Sequence, residues 1–300
     1  MRKQLSHRSA IALMACAAIM WSIAGVLTRQ LDAARGFEIT FWRSVFSGLF
    51  VFVVLFCQKG IGSVRLIQDA GRWGLLSGLM WGVMFCCFML ALTMTTVANT
   101  LIVMSVAPLL TALLALLFLK QGIAPRTWAA IIFAFLGMVW MFAGSLEAED
   151  GKHIAGMLVA LGVPLAAAVN VIVMKRAGQK LDLIPSVLLG SLFSLLAMLP
   201  LAWPLQASWH DIGILAVLGV FQLGLPCMMM VIAARSLSAP EISLLALLEV
   251  VFGPVWAWLG AGEIPDRASL TGGVVVLAAL LLNELTSLHP RRRHAQAERA

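Results

Sequence analysis

The chain has 300 residues, of which 61% are hydrophobic and only 12% are charged. Because soluble domains carry about 25% charged residues, this chain has too few polar side chains to cover a water-facing surface. The composition therefore excludes a cytosolic enzyme, a disordered chain and a disulfide-stabilised secreted domain. The net charge of +7 is spread over two short tails and the loops. That distribution indicates orientation in a membrane rather than nucleic-acid binding.

Ten apolar segments are each long enough to cross a bilayer, which takes about 20 helical residues. The first of them is too long for the apolar part of a signal peptide and predicts a spanning helix. Only Thr93, Met94 and Thr95 separate the third and fourth segments, so a tight reversal is expected there. The predicted spans are 9–28, 37–57, 73–92, 96–119, 127–145, 153–174, 185–205, 211–233, 239–260 and 268–287.

The positions of the basic residues predict how the chain is oriented. With a cytoplasmic N-terminus, sixteen of the 21 Lys and Arg residues fall on the cytoplasmic side and four on the other. Such a bias is typical of cytoplasmic flanks. It also favours an even number of spans, because both basic tails then lie on one side. We expect a multi-pass protein of the inner or plasma membrane with both termini in the cytoplasm, including a basic tail over 288–300.

A weak internal repeat divides the chain in two. A shift of 142 residues aligns the fourth predicted span with the ninth, together with the segments that flank them. Because five is an odd number, consecutive five-helix units must enter the membrane from opposite sides. The sequence thus predicts an all-α polytopic membrane protein with ten transmembrane helices in two inverted five-helix repeats. Secondary transporters commonly have this architecture, with the substrate bound near the midplane between the halves.

Several short motifs follow one another in a recognisable order. In the first half they are Trp21-Ser22, Phe41-Trp42-Arg43 and a stretch from Ala98 to Pro108-Leu109-Leu110; in the second half Leu248 to Trp258 leads to Gly262-Glu263. Together they resemble the EamA-type family of the drug/metabolite transporter (DMT) superfamily. The resemblance implies two EamA-type repeats, over 9–145 and 153–287. It also implies transport of small metabolites, often amino acids or related amphiphiles, with efflux favoured over uptake.

Two positions depart from the family's pattern. Lys120-Gln121 stands where the family usually has a glycine–glutamate pair after the fourth helix. Val250 stands where a proline commonly follows the glutamate of the ninth helix, and a proline comes four residues later, at Pro254. The first departure argues against a pair of carboxylates related by the repeat. The second would move the bend of the ninth helix by about one turn.

Glu249 and Arg43 are the charged residues that we expect inside the membrane. A carboxylate near the middle of a span costs at least about 2–3 kcal/mol, so Glu249 is expected to face a cavity or a partner. It could carry a coupling proton or bind a substrate amine, or it could be a neutral structural group. Arg43 lies roughly 9 Å below the outer surface and stays charged. It could hold a substrate carboxylate or phosphate, or it could pair with Glu38 or with backbone carbonyls.

The remaining candidates are uncharged. Trp21 and Trp81 lie inside spans and could line a cavity for an amphiphile, or simply pack. Asn99 and Asn170 could bind substrate, although joining helices is the commoner role of such residues. Three prolines near the middles of spans could act as hinges or as static kinks. They are Pro108, Pro164 and Pro226.

These features favour a secondary active transporter that exports small metabolites by proton-coupled alternating access. A non-transporting structural or sensory membrane protein is the alternative. An intramembrane enzyme is disfavoured because the histidines lie in tails or at helix ends and no catalytic motif is present. No ATP-binding motif, metal site or cofactor site is expected. The expected partners are a small-molecule substrate and the lipid bilayer, without nucleic acid, and the oligomeric state is left open.

Overall fold

The computed structural model describes residues 5–60, 62–119, 151–177, 181–237 and 239–265 and, between and after these, 125–126, 128–130, 132–133, 136–137, 139–140, 267, 270–279 and 281–282. Over these residues the fold consists of helices joined by short connections, without a β-strand. The protein is an all-helical, polytopic membrane protein. Most of the predicted fifth span, 127–145, and the basic tail, 288–300, lie outside the described residues.

The first half of the chain begins with two helices that form one broken span. A long helix and a kinked helix follow, and then another broken span. The helices are α1 (His7–Ser22), α2 (Ala24–Thr28), α3 (Phe37–Lys59), α4 (Gly62–Met94), α5 (Val97–Met104) and α6 (Ala107–Leu119). Inside α4, Gly71 has a φ of 50°, a conformation that costs glycine little and that bends the helix there.

The second half repeats the use of broken spans. Its helices are α7 (Gly151–Ala160), α8 (Gly162–Ala177), α9 (Ile184–Ala202), α10 (Trp209–Val217), a π-helix (Leu218–Gly224), α11 (Leu225–Ala233), α12 (Ala239–Ala261) and α13 (Leu270–Ala279). In a π-helix the backbone bonds from residue i to i+5, and such segments are often found at functional sites.

Seven helical segments of the described chain are long and apolar enough to cross a membrane. They match seven of the predicted spans with ends shifted by a few residues: His7–Thr28, Phe37–Lys59, Gln68–Met94, Val97–Phe118, Gly151–Met174, Ile184–Ala202 and Trp209–Ala233. Shorter apolar stretches, Leu248–Ala261 and Leu270–Ala279, fall within the predicted ninth and tenth spans. The predicted reversal after the third span is present: α4 ends at Met94 and Thr96 caps α5 by accepting a hydrogen bond from Asn99 N.

Among the described residues, the most extensive contacts between helices are those of α9 with α3 and α4. Small residues allow the close approach: a Cβ added to Gly78 or Gly82 of α4 would lie 2.6 Å from Leu189 and 3.0 Å from Phe193 of α9. Serine pairs also join these helices, with Ser44–Ser194 at 2.8 Å. Hydrogen bonds of this kind between spanning helices contribute about 0.6 kcal/mol each. This tight group of helices fixes α3, which carries Arg43.

Candidate functional site

A cavity of about 180 Å³ lies among α1, α3, α4, α5, α6, α8, α11, α12 and the π-helix. Its walls are mostly apolar and include aromatic and thioether side chains such as Trp81, Phe85, Phe88, Met84 and Met104. Such walls favour an apolar ligand body, since aromatic faces are rigid and methionine adapts to irregular shapes. A few polar groups interrupt the apolar lining, and their arrangement decides what else a ligand must present.

Arg43 is the basic group of the cavity wall. Its side chain is 2% exposed, and its guanidinium carbon lies 5.5 Å from the centre of the Phe88 ring, as in a cation–π contact. Its Nη1 atom has no hydrogen-bond partner among the described residues. A guanidinium stays charged and offers several donors in a plane, so it is suited to a carboxylate or phosphate.

Glu38 does not neutralise Arg43 in this structure. Its Oε1 accepts hydrogen bonds from the backbone N–H groups of Gln206 and Ala207, at 2.8 Å each, and from Trp42 Nε1 at 3.3 Å. The acid therefore ties α3 to the connection between α9 and α10. Among the described residues no carboxylate pairs with Arg43, which lines the cavity, and its role in holding a substrate anion remains a prediction.

Glu249 of α12 lines the same cavity as Arg43. No hydrogen bond or ion pair joins its carboxyl group to another described residue, and it lies more than 4.0 Å from the Arg43 nitrogens. The cavity thus holds a basic and an acidic side chain on different helices with space between them. A ligand with charges of both signs could contact both groups. An anionic ligand could instead contact Arg43 while Glu249 carries a proton.

The π-helix places Gln222 in the cavity wall. Glycine allows it to pack on α3, because a Cβ at Gly219 would meet the Arg43 carbonyl oxygen at 2.7 Å and one at Gly224 would meet Ser47 Oγ at 3.3 Å. Gln222 donates from Nε2 to the Trp21 carbonyl at 3.2 Å. The same contact therefore ties together two residues of the lining, Trp21 and Gln222.

The three prolines each lie one turn after an interruption in a span. Proline has no N–H to donate to the carbonyl four residues before it and its ring clashes with that carbonyl. Four residues before Pro108 and Pro164 are the last residues of α5 and α7, and four before Pro226 is Gln222 in the π-helix. Pro108 and Pro164 line the cavity, and Pro226 is buried beside it on α11. The interruptions are thus located around the cavity, whereas a hinge role remains a prediction.

The structure places six of the nine predicted residues in the cavity wall and leaves Asn170, Asn99 and Pro226 out of it. Glu249, Arg43, Trp21, Trp81, Pro108 and Pro164 line the cavity. Asn170 does not: its Oδ1 accepts a hydrogen bond from Ser77 Oγ at 2.7 Å. Asn99 is likewise away from the lining, near the start of α5, with its Nδ2 3.4 Å from Thr95 Oγ1. Both amides have the helix-joining or local bonds that such residues commonly form.

Several lining residues were not predicted from the sequence. Methionines and phenylalanines at these positions look like ordinary apolar residues of a span, so the sequence carries no signal that separates them from lipid-facing ones. They are Met14, Met84, Met104, Met230, Phe85 and Phe88. Gln222 carried a usable signal, since an amide between Gly219 and Gly224 and ahead of Pro226 marks a disturbed helix that a polar cavity could explain.

Three carboxylates hold one end of the bundle closed. We call this the Arg29 end, and the opposite end, where α1 begins, the His7 end. At the Arg29 end Glu263 bonds to Arg29 Nε at 2.8 Å and accepts the N–H of Val97. Arg29 also donates to the carbonyl oxygens of Leu92 and Thr95, at 2.8 and 3.0 Å. These bonds join α2, the α4–α5 reversal and the end of α12.

Asp211 and Glu38 make the other two contacts of this kind. The Asp211 carboxylate is fully buried and accepts the backbone N–H groups of Asp32, Ala33 and Ala34, at 2.8, 3.0 and 2.9 Å. Glu38 reaches in the other direction, from α3 to residues 206–207. We call the contacts of Glu38, Asp211 and Glu263 the carboxylate clasps. Hydrogen bonds to charged groups contribute about 1.5–3 kcal/mol each, so the three clasps together resist opening at this end.

The cavity extends away from the clasps. Toward the His7 end it is lined by Met14, Thr111, Val171, Met230 and Ile242, all within the half of their spans nearer that end. The described residues of the α2 helix and of 206–215 do not line it. The structure is therefore closed at the Arg29 end, and its cavity reaches from Arg43 toward the His7 end.

Comparison with known proteins identifies the family. The model of the EamA-like transporter family matches residues 8–143 and again residues 154–285. The chain is 23% identical over 279 residues to the pseudopaline exporter CntI of Pseudomonas aeruginosa, covering 91% of this chain and 95% of that protein. It is 26% identical over 253 residues to the S-adenosylmethionine uptake transporter of Rickettsia bellii, covering 82% and 83%.

More distant similarity agrees with this assignment. The human solute carrier family 35 member G1 is 21% identical over 278 residues, with 87% of this chain and 75% of that protein covered. A crystal structure has the same fold, with a TM-score of 0.67 and 16% identity over 94% of this chain and 99% of the other. Two family matches that together span most of the chain, and relatives that are transporters and not enzymes, lead to one conclusion: the chain belongs to the EamA-like transporter family.

Proposed function

We propose that this protein is a secondary active transporter that exports a small amphiphilic metabolite carrying an anionic group, by proton-coupled alternating access. The observation that carries the proposal is the Arg43 guanidinium, which is buried in the wall of an apolar cavity and has an Nη1 atom without a partner among the described residues. A buried charge without a bonded counter-ion is expensive, so a ligand that supplies an anion gains from filling the site.

The rest of the cavity fits an amphiphile. Its lining is mostly apolar and includes four aromatic and four methionine side chains, and Phe88 lies against the guanidinium itself. An apolar ligand body would replace water along these walls, while its anionic group faced Arg43. Amino acids and related metabolites have this combination of groups.

Glu249 is the group that we propose for coupling. It is an acid inside the membrane that shares the cavity with Arg43, and no described residue forms a hydrogen bond or ion pair with it. A proton on Glu249 removes its charge, and its loss restores a carboxylate that attracts Arg43 across the cavity. Proton binding and substrate binding can therefore influence each other through Arg43 without direct contact.

Alternating access requires the two ends to open in turn. We propose that residues 9–145 and 153–287 form two inverted five-helix repeats; the two family matches, at 8–143 and 154–285, support that division. The carboxylate clasps join residues of the first match to residues of the second, as in Glu263 to Arg29 and Asp211 to 32–34. Opening the Arg29 end would separate the two repeats at these bonds.

The orientation of the chain in the membrane decides whether the cavity of this state faces the cytoplasm or the outside. The excess of basic residues favours cytoplasmic termini, which puts the His7 end in the cytoplasm. The state described here would then be inward-facing, the state in which an exporter loads its substrate. An importer passes through the same state when it releases its substrate, and relatives of similar identity include both an exporter and an uptake transporter, so export is proposed from the family resemblance.

The proposal is tested by flux in vesicles that contain the purified protein. We expect a pH gradient across the membrane to drive accumulation of an accepted metabolite from a panel of amino acids and related acids. Glu249→Gln should leave equilibrium binding intact and remove the dependence of flux on the gradient. Asp69→Asn, an exposed carboxylate on α4, is the matched control and should behave as the unchanged protein. Full gradient-driven flux in Glu249→Gln would refute the coupling role.

A further inference from the structure

Three buried polar atoms of the cavity residues have no hydrogen-bond partner among the described residues: Arg43 Nη1, Trp81 Nε1 and Gln222 Oε1. The side chains that carry them are 2%, 1% and 1% exposed. A buried polar atom without a partner costs about 1–3 kcal/mol, and such atoms are rare. Their presence together around one cavity indicates that a ligand supplies the missing bonds.

The three atoms require different hydrogen-bond partners on a ligand. A guanidinium N–H and an indole N–H can only donate, so Arg43 and Trp81 require acceptors on the ligand. An amide oxygen accepts, so Gln222 Oε1 requires a donor. The distinction depends on which way the Gln222 amide points.

The orientation of that amide is fixed by its other bond. Gln222 lies 3.2 Å from the Trp21 carbonyl oxygen, and a carbonyl oxygen can only accept. The nitrogen of the amide must therefore face Trp21, which leaves the oxygen as the unpartnered atom. The orientation follows from hydrogen-bond chemistry and does not depend on how the two atoms were assigned.

The backbone around Gln222 explains why the amide is held at this position. It lies in the π-helix, which packs on α3 at Gly219, beside the Arg43 carbonyl. Pro226, four residues later, cannot donate to the Gln222 carbonyl, so a regular α-helix is interrupted here. The acceptor is thus fixed on an element that also contacts the helix of Arg43.

We propose that Gln222 is a specificity-determining residue, whose Oε1 accepts a hydrogen bond from a donor group on the same molecule whose anionic group is bound by Arg43. This inference rests on the proposed function, because it presumes that the cavity binds the transported molecule. It adds a requirement that the anion site does not impose: a molecule with the anionic group and the apolar body but no donor should be discriminated against.

The test compares probes that differ only in the donor. We chose 3-phenylpropanoate, which has an aromatic body and a carboxylate, with phenylalanine and 3-phenyllactate, which add an ammonium and a hydroxyl group. Binding is measured at equilibrium, from the midpoint of thermal unfolding of the purified protein in detergent against probe concentration. In the unchanged protein we expect both donor-bearing probes to bind about tenfold or more tightly than 3-phenylpropanoate.

Gln222→Met should remove that preference, because methionine is similar in length and offers at most a weak acceptor. Gln222→Glu, which keeps acceptor oxygens, should retain the preference for phenylalanine and provides a second variant if the first does not fold. Asn170→Leu is the matched control: it also removes a buried amide, but one that bonds to Ser77 outside the cavity. It should lower stability without changing the ratio between probes.

An unchanged ratio in Gln222→Met, an equal loss of the ratio in Asn170→Leu, or the absence of any donor preference in the unchanged protein would overturn the inference. Absence of binding by all three probes would overturn it as well. The proposed function fails by a different result, the lack of gradient-driven flux, which this binding measurement does not involve. A donor preference that persists in a protein without flux would leave Gln222 in its role and remove the transport proposal.

Discussion

Arg43 and Glu38 lie on the same helix, yet their side chains contact different parts of the molecule. Glu38 bonds to backbone N–H groups at 206–207, while the guanidinium of Arg43 lies against Phe88 in the cavity. The sequence could predict that Arg43, Glu249, Trp21 and Trp81 are unusual residues for apolar spans. It could not predict which neighbour each would have, because a linear pattern gives depth in the membrane more reliably than the direction in which a side chain points.

The asparagines illustrate the same limit. Asn99 and Asn170 lie at membrane depth like the cavity residues, but their helices turn them toward Thr95 and Ser77. The sequence predicts how deep in the membrane they lie, but not the direction in which their side chains point. The direction depends on how α4, α5 and α8 pack, and that is decided by contacts distant in the chain.

We expect Arg43→Gln to weaken binding of an anionic substrate roughly 10- to 150-fold, because a hydrogen bond to a charged group contributes about 1.5–3 kcal/mol. Arg43→Lys keeps the charge but loses the planar pair of donors, and we expect an intermediate loss. Binding of a radiolabelled substrate to the purified protein measures both. Arg72→Gln, an exposed arginine that stacks on Trp73, is the control and should bind normally. Normal binding by Arg43→Gln would remove the anion site from the proposal.

At the scale of elements, the interrupted spans combine features that could and could not be predicted. Proline chemistry predicts a break one turn before Pro108 and Pro164, and α5 and α7 end at those places. The π-helix over Leu218–Gly224 was not predicted, since its extra residue per turn depends on packing against α3 and leaves no periodic signal in seven residues. Gly219 and Gly224 allow that packing, and the sequence does not show which helix they would contact.

Gly219→Ala should destabilise the protein by about 1–3 kcal/mol and lower transport, because the added Cβ would lie 2.5 Å from Phe46 Cβ and 2.7 Å from the Arg43 carbonyl oxygen. Gly213→Ala is the matched control: it lies on the preceding helix α10, and a Cβ there has nothing within 4 Å. That substitution should be neutral or slightly stabilising, as alanine favours helix. Thermal unfolding in detergent and flux in vesicles report the two effects. Equal behaviour of the two variants would refute the packing role.

For the whole molecule, the arrangement of the two ends could be predicted only in part. Apolar length located the described spans to within a few residues, and the basic residues predict which end faces the cytoplasm. Which end is closed could not be predicted, because Glu38, Asp211 and Glu263 close it by bonding to atoms far away in the chain. Asp211, for example, bonds to residues 32–34.

We expect Glu263→Gln to open the Arg29 end more often, because it replaces a charged acceptor of Arg29 and Val97 by a neutral amide. The native Cys227 lines the cavity and can report this in a protein whose other four cysteines are replaced. A membrane-impermeant thiol reagent applied from the Arg29 side should label Cys227 faster in the variant. Asp69→Asn, which changes an exposed carboxylate on α4 away from these contacts, is the control. Equal labelling of Glu263→Gln and the unchanged protein would argue against a role of the Glu263 clasp in closing the Arg29 end.

The orientation of the chain in the membrane can be tested separately. A protease site or epitope placed in the basic tail, 288–300, should be reachable only from the cytoplasmic side, because the positive charges of the tail resist translocation. Right-side-out and inverted vesicles separate the two possibilities. Cleavage from the outside would invert the assignment of the two ends and turn the inward-facing state into an outward-facing one.

The clasps also bear on how such contacts can be found in other members of the family. Glu263 pairs with the side chain of Arg29, but Glu38 and Asp211 mainly accept hydrogen bonds from main-chain amides, at 206–207 and 32–34, so the side chains at those recipient positions can change without loss of the contact. No compensating exchange is needed at one site when the other changes. Methods that infer proximity from correlated substitutions would therefore overlook the contacts of Glu38 and Asp211, even in a deep alignment, and would detect this closed end only through the pair of Glu263 and Arg29.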